Sequence, residues 1–141
     1  MCEPDFYFKH PTAIQISGPS GCGKTRLVLR ILENKLIRSP ESGEFPRRII
    51  WVFSEWQPDY AHAHVLYPHI EFVHGWHDEI YDMLMPQVPT LLIIDDLMDE
   101  AGSSKSMKAL FTRGVHHRNC TVLYILQNMY ISGQESAHCV T

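Results

Sequence analysis

The chain has 141 residues, of which 45% are hydrophobic and 20% are charged, and its formal net charge at pH 7 is -4. This length and composition predict one globular domain over residues 1–141 and exclude disordered and collagen-like architectures. The negative charge excludes a polycation that coats nucleic acid, so any contact with DNA must come from local groups of Lys and Arg.

Alternating strands and helices along the chain predict an α/β fold with a mostly parallel sheet between two helical layers. Apolar residues alternate over 12–17, which predicts a strand, and recur at three- and four-residue steps over 24–38, which predicts a helix. The other predicted strands are 48–53, 70–74, 90–95 and 121–126, and the other predicted helices are 59–66, 77–85 and 103–112.

The segment GPSGCGKT matches the phosphate-binding pattern G-x-x-x-x-G-K-[ST] and lies between the first predicted strand and the first predicted helix. Its glycines let backbone N–H groups close around phosphate oxygens, and some of these positions need a positive φ. The Lys24 ammonium can reach the β- and γ-phosphates, and the Thr25 hydroxyl can ligate Mg2+. The predicted nucleotide-binding residues are Gly18, Pro19, Ser20, Gly21, Cys22, Gly23, Lys24, Thr25 and Arg26.

Two aspartates end the apolar strand 90–95. A P-loop nucleoside triphosphatase holds Mg2+ through a carboxylate at such a strand end, and Asp95 is the predicted residue. Asp96 points to the other side of the chain and is the predicted group that polarises the attacking water. Capping of a following helix is the alternative role for Asp96, and Asp99 and Glu100 are weaker candidates for the same base.

The strand 48–53 lies between the phosphate loop and the acidic strand, which are separated by about 70 residues. This arrangement favours the division of P-loop proteins that has an added strand between the two motifs, the ASCE division. It disfavours nucleotide kinases and GTPases, and the sequence has no N-K-x-D guanine motif.

Polar and basic residues flank the last predicted strand. Gln127 follows it at the edge where ligands bind in open α/β sheets, and we expect it to sense the γ-phosphate, with an ordinary polar strand end as the alternative. Arg113 and Arg118 precede the strand, on a predicted connection between helix and strand. Either arginine can act as a finger on a nucleotide held by a neighbouring subunit, and surface salt bridges are the alternative.

The cysteines lie far apart without C-x-x-C spacing, which predicts reduced thiols rather than a zinc site or a redox pair. Five of the nine histidines fall within 62–77, and we interpret them as a partly exposed surface rather than a metal site. No apolar run is long enough to span a membrane, and the amino terminus lacks the order of a secretory signal. We therefore expect an intracellular protein.

Taken together, these motifs resemble the genome-packaging ATPases of the FtsK-HerA superfamily, specifically the poxvirus-type ATPases of large DNA viruses and Maverick or Polinton-like elements. The resemblance covers about residues 8–131 and is carried by four segments, FKHPTAIQISGPSGCGKT, WVFSEWQPDY, LLIIDDLMDE and FTRGVHHRNCTVLYILQNMY. The residues that match the family by position are Lys24, Thr25, Asp95, Asp96 and Gln127.

The resemblance implies a homo-oligomeric ring that hydrolyses ATP with Mg2+ at subunit interfaces and drives double-stranded DNA into a preformed capsid. It implies DNA and a capsid protein as partners, and the host cytoplasm, the nucleus or the virion as the location. Family members continue into further strands after the fourth, whereas this chain ends in the polar segment ISGQESAHCVT. We therefore expect a C-terminally truncated sheet and an irregular tail of about ten residues.

Two other functions stay open from the sequence. Because the C-terminus is short, one alternative is a regulatory or remnant module that binds ATP but hydrolyses it poorly. An unrelated small P-loop kinase would need an acceptor site with a mobile lid of arginines, and the sequence shows none.

Overall fold

The computed structural model describes residues 6–19, 23–97 and 105–127. The strands are β1 (Phe8–Lys9), β2 (Ala13–Gly18), β3 (Ile37–Arg38), β4 (Arg48–Phe53), β5 (Glu71–His74), β6 (Thr90–Asp95) and β7 (Cys120–Gln127). The helices are α1 (Lys24–Asn34), α2 (Asp59–Leu66), α3 (Glu79–Met83), α4 (Lys105–Ala109) and α5 (Val115–His117), with a π-helical turn (Leu110–Gly114) between α4 and α5. Among these helices, none is long and apolar enough to cross a membrane.

Five strands form one parallel sheet in the order β2-β7-β6-β4-β5, and β1 pairs with β3 in a separate two-stranded sheet. The last residues of the five strands meet at one side, here called the carboxyl edge, and the opposite side is called the amino edge. The sheet has an added strand between the strand of the phosphate loop and the acidic strand β6, as expected, but that strand is β7. The strand 48–53, on which the expectation was based, is β4 and lies on the other side of β6.

Each face of the sheet supports its own apolar core. On one face, α1 and α2 pack through Leu32 and Ala63 against strand residues such as Ile93. On the other face, α3 and the segment from α4 to α5 pack through Ile80 and Leu110. The predicted α/β fold with a parallel sheet between two helical layers is therefore confirmed, and burial on both faces explains the continuous apolar runs of β4 and β6.

The predicted bounds hold for β4, α2 and β6. The first helix ends at Asn34 rather than at residue 38, because Lys35 adopts a left-handed conformation with φ 50° and its N–H bonds to the carbonyls of Ile31 and Leu32. The apolar period continues through Leu36, but Ile37 then pairs with Phe8, so the chain becomes a strand.

The connection predicted before the last strand is instead helical to His117. Gly114 makes this possible, because a Cβ at that position would lie 2.8 Å from the Tyr81 ring. The absence of a side chain lets the π-helical turn pack directly on α3. The start of the predicted helix 103–112 and the predicted tail lie partly or wholly outside the described residues.

Candidate functional site

The phosphate loop joins the carboxyl end of β2 to the start of α1. Gly23 precedes the helix with φ 93° and ψ 22°, a conformation that residues with a side chain rarely adopt. A Cβ at Gly23 would have no neighbour within 4 Å, so the demand for glycine here comes from the backbone angle and not from space. The predicted residues Ser20, Gly21 and Cys22 lie outside the described part of the chain.

Lys24 turns its side chain onto the loop. Its Nζ donates hydrogen bonds to the carbonyl oxygens of Gly18, at 2.5 Å, and Pro19, at 3.1 Å. The first turn of α1 has neither an acidic residue nor a side-chain cap among the described residues. The amide groups and the positive end of the helix dipole are therefore available to an anion. Thr25 is half-buried as the second residue of α1, and Arg26 is exposed.

Asp95 is the last residue of β6, and only 4% of it is exposed. The hydroxyl of Tyr60 donates a 2.5 Å hydrogen bond to Asp95 Oδ2. Burial raises the pKa of Asp95, whereas the Tyr60 hydrogen bond and the positive charge of Lys24 lower it. The strand register places Gly18, at the start of the phosphate loop, and Asp95 on the two strands that flank β7, so the loop and the carboxylate lie at the same edge of the sheet.

Asp96 directly follows β6 and adopts a left-handed conformation with φ 57°, which aspartate tolerates better than most residues. Its N–H donates to the carbonyl of Ile125, 2.9 Å away on β7, and its side chain is exposed. Burial raises the pKa of Tyr124, and the charge of Asp96 raises it further. The charge of Asp96 also raises the pKa of Tyr60 and of Asp95, so it acts on groups of both cores, and its role as the base stays a prediction.

An aromatic cluster surrounds the buried side of Asp95. The ring of Tyr60 lies 5.0 Å from that of Trp51, 5.1 Å from that of Trp56 and 5.7 Å from that of Phe72. Burial raises the pKa of Tyr60 strongly, and the charge of Asp95 adds to the effect, so the hydroxyl keeps its proton and remains a donor. Tyr60 was not among the predicted site residues, and its only signal in the sequence is a tyrosine at the start of the helix that follows β4.

Gln127 is the last residue of β7, and its backbone is in register with Gly18 at the start of the phosphate loop. Its main chain lies beside the phosphate loop, and its side chain lies outside what the structure describes, so the sensor role stays a prediction. The two arginines differ. Arg113 is exposed on the π-helical turn, whereas Arg118 Nη1 donates to the Leu84 carbonyl at 2.9 Å and its guanidinium stacks 4.5 Å from the Tyr81 ring centre.

No neighbouring subunit is present to test the arginine finger, so that role stays a prediction. Arg118 is bound within its own chain near the amino edge, at the opposite end of β7 from Gln127. Arg113 is the arginine whose side chain is left exposed.

The oxygen donors at the carboxyl edge fit Mg2+. Asp95 supplies a carboxylate, and none of the described residues donates a hydrogen bond to its second oxygen, Oδ1. Thr25 supplies a hydroxyl, and Mg2+ binds through few protein oxygens together with phosphate and water. Over the described ranges, no group of three or more His, Cys, Asp or Glu side chains is placed to hold a metal. Asp99 and Glu100 lie outside those ranges.

Comparison with models of known protein families and with curated protein sequences finds no match. Among solved structures, the fold is similar to that of a KaiC-like protein from the hyperthermophilic archaeon Pyrococcus horikoshii, with a TM-score of 0.55 and 15% sequence identity. The similarity covers 92% of this chain and 67% of the archaeal chain. It supports the P-loop fold of the chain.

Proposed function

We propose that the protein is an ATPase that uses Mg2+ and hydrolyses ATP to ADP and phosphate. The observation that carries the proposal is that the phosphate loop, to whose carbonyls Lys24 is bonded, and the buried Asp95 carboxylate lie at the same edge of one parallel sheet, on the two strands that flank β7. A cation site beside an anion site on a parallel sheet matches what a magnesium nucleotide needs.

Each residue has a separate task in this proposal. Lys24 and the amides at the start of α1 bind the phosphates, exchanging the loop carbonyls for phosphate oxygens. Thr25 and Asp95 hold Mg2+, which neutralises charge on the phosphate oxygens. Asp96 accepts the proton of the attacking water, because it is exposed at the strand end beside Asp95. Gln127 contacts the γ-phosphate from the next strand.

We further propose that hydrolysis drives double-stranded DNA, as in the genome-packaging ATPases that the sequence resembles. A net charge of -4 requires the DNA contacts to converge in the pore of a ring of identical subunits. Arg113 would act across the subunit interface, and a capsid protein would be the receiving partner. The expected place of action is the host cytoplasm or nucleus, or the virion.

The test is ATP hydrolysis by the purified chain with and without double-stranded DNA, together with its mass in solution. Lys24→Ala is the control, since it removes the ammonium without changing the apolar face of α1. If an oligomer shows turnover that DNA stimulates, and the Lys24→Ala control lacks this turnover, the result supports both the ATPase and its action on DNA. Turnover without DNA stimulation supports only the ATPase, and nucleotide binding without turnover favours the regulatory or remnant module.

A further inference from the structure

Tyr60 connects α2 to the candidate magnesium carboxylate. Its side chain is fully buried, and its hydroxyl lies 2.5 Å from Asp95 Oδ2. The hydrogen bond joins residues 35 positions apart, from the first turn of α2 to the end of β6. The hydroxyl is the donor, so it engages one oxygen of Asp95 and leaves the other free of donors among the described residues.

The aromatic cluster around Tyr60 prevents this hydroxyl from moving away. Phe72 stacks on the Tyr60 ring with an interplanar angle of 26°, and Trp51 and Trp56 pack at 53° and 87°. A ring enclosed in this way has one orientation, and its hydroxyl direction is set by packing.

Trp51 adds a second polar group at the same place. Its side chain is fully buried, and its Nε1 has no hydrogen-bond partner among the described residues. The centre of the Trp51 ring lies 5.0 Å from that of Tyr60, so the indole packs against the residue whose hydroxyl holds Asp95. A buried donor without a partner is costly, and a phenylalanine would fill the same core without that cost.

We propose that Tyr60 is a positioning residue that holds the Asp95 carboxylate with Oδ1 presented to Mg2+, and that Trp51 supports it by packing against the Tyr60 ring. The identity of the metal rests on the proposed function. Groups that hydrogen-bond a metal ligand restrict its rotation and commonly change metal affinity by about 10- to 100-fold when they are removed. Here the Tyr60 hydroxyl contacts the carboxylate, and Trp51 packs against the Tyr60 ring in the same core, on the α1 and α2 side of the sheet.

The experiment measures metal binding rather than turnover. Mn2+ affinity is determined by electron paramagnetic resonance for the full chain with a non-hydrolysable ATP analogue, and affinity for the analogue alone is measured in EDTA. Tyr60→Phe keeps the ring and removes the hydroxyl, so we expect Mn2+ affinity to fall about 10-fold or more. Affinity for the analogue in EDTA should stay unchanged.

Tyr67→Phe is the matched control. The Tyr67 hydroxyl also donates one hydrogen bond, which is partly buried and 2.8 Å long, but its acceptor is the Leu32 carbonyl and not Asp95. It should leave Mn2+ affinity at the wild-type value. Trp51→Phe provides an independent variant and should weaken Mn2+ binding by a few-fold, less than Tyr60→Phe.

Wild-type Mn2+ affinity in both Tyr60→Phe and Trp51→Phe would overturn the positioning role while leaving the proposed ATPase intact. An equal loss in Tyr67→Phe would also overturn it, because the effect would then be general to the core. If the wild-type chain binds neither the analogue nor Mn2+, the proposed function fails and this inference fails with it.

Discussion

Polar side chains at the two edges of the parallel sheet differ in their hydrogen bonding. At the amino edge, polar groups bond to one another within the chain, whereas at the carboxyl edge Asp96 and one oxygen of Asp95 accept no side-chain hydrogen bond from the described residues. Folding commonly satisfies buried polar groups, so the oxygen of buried Asp95 that accepts no hydrogen bond within the described part of the chain makes the carboxyl edge the one at which we expect a ligand. The difference separates residues expected to act in chemistry from residues expected to stabilise the fold.

At the amino edge, polar side chains have hydrogen-bond partners within the chain. His10 Nε2 contacts Asn119 Oδ1 at 2.9 Å, and His10 Nδ1 contacts Thr121 Oγ1 at 2.6 Å. Asn119 Nδ2 donates to the Pro86 carbonyl, so its Oδ1 accepts from His10 Nε2. Arg48 forms a bidentate ion pair with Glu71, at 2.7 and 3.0 Å.

The largest expected effect is at the carboxyl edge. Asp96→Asn should reduce ATP turnover by about 100-fold or more, because the amide cannot accept the proton of the attacking water. Asparagine tolerates the left-handed backbone of this position, so the thermal midpoint and nucleotide affinity should match the wild type. Single-turnover kinetics measure the rate, and calorimetry measures the thermal midpoint and the nucleotide affinity. An unchanged rate would place the base elsewhere.

The next effect is on stability at the far side of the sheet. Gly114→Ala should lower the free energy of unfolding by about 1–3 kcal/mol, because the new Cβ would meet the Tyr81 ring. Urea unfolding measures this loss. Gly43→Ala is the comparison, since its φ of 72° is strained but nothing lies within 4 Å, and a smaller loss of about 1 kcal/mol is expected. A larger loss at Gly43 would contradict the packing argument.

His10 should make the amino edge sensitive to pH. Burial lowers the pKa of His10 more than its hydrogen bond with Asn119 raises it. The unfolded state therefore binds the proton more readily, and the free energy of unfolding should fall as the pH drops below about 6.5. Thermal unfolding between pH 7.5 and pH 5.5 measures the slope. His10→Gln retains the other histidines and should have a flatter slope, and parallel slopes would show that His10 does not contribute.

The smallest effect in the isolated chain separates the two arginines. Arg118→Ala should lower the free energy of unfolding by about 1 kcal/mol, through the loss of its bond to Leu84 and its stacking on Tyr81. Arg113→Ala should leave stability unchanged and reduce turnover only above the concentration at which the chain assembles. Loss of turnover in dilute monomers of Arg113→Ala would reject its role in a neighbouring site.

Local patterns were sufficient for much of the sheet and for the two motifs. β4 and β6 were predicted to their observed bounds because strands buried on both faces are continuously apolar. The order of glycines and lysine in the phosphate loop, and the aspartates after an apolar run, are likewise readable within a few residues. The end of α1 could not be predicted from such a local pattern, because the apolar period continues through Leu36 although Ile37 pairs with Phe8 as a strand.

The class of fold and the separate halves of the candidate site could be predicted from the amino-acid sequence, since they depend on neighbours along the chain. The way in which the halves meet, and the side chains that support them, depend on contacts between distant residues. Tyr60 reaches Asp95, and Arg118 reaches Leu84, across 35 and 34 positions. Such contacts follow from strand order and from the packing of helices on the sheet, and no local spacing encodes them.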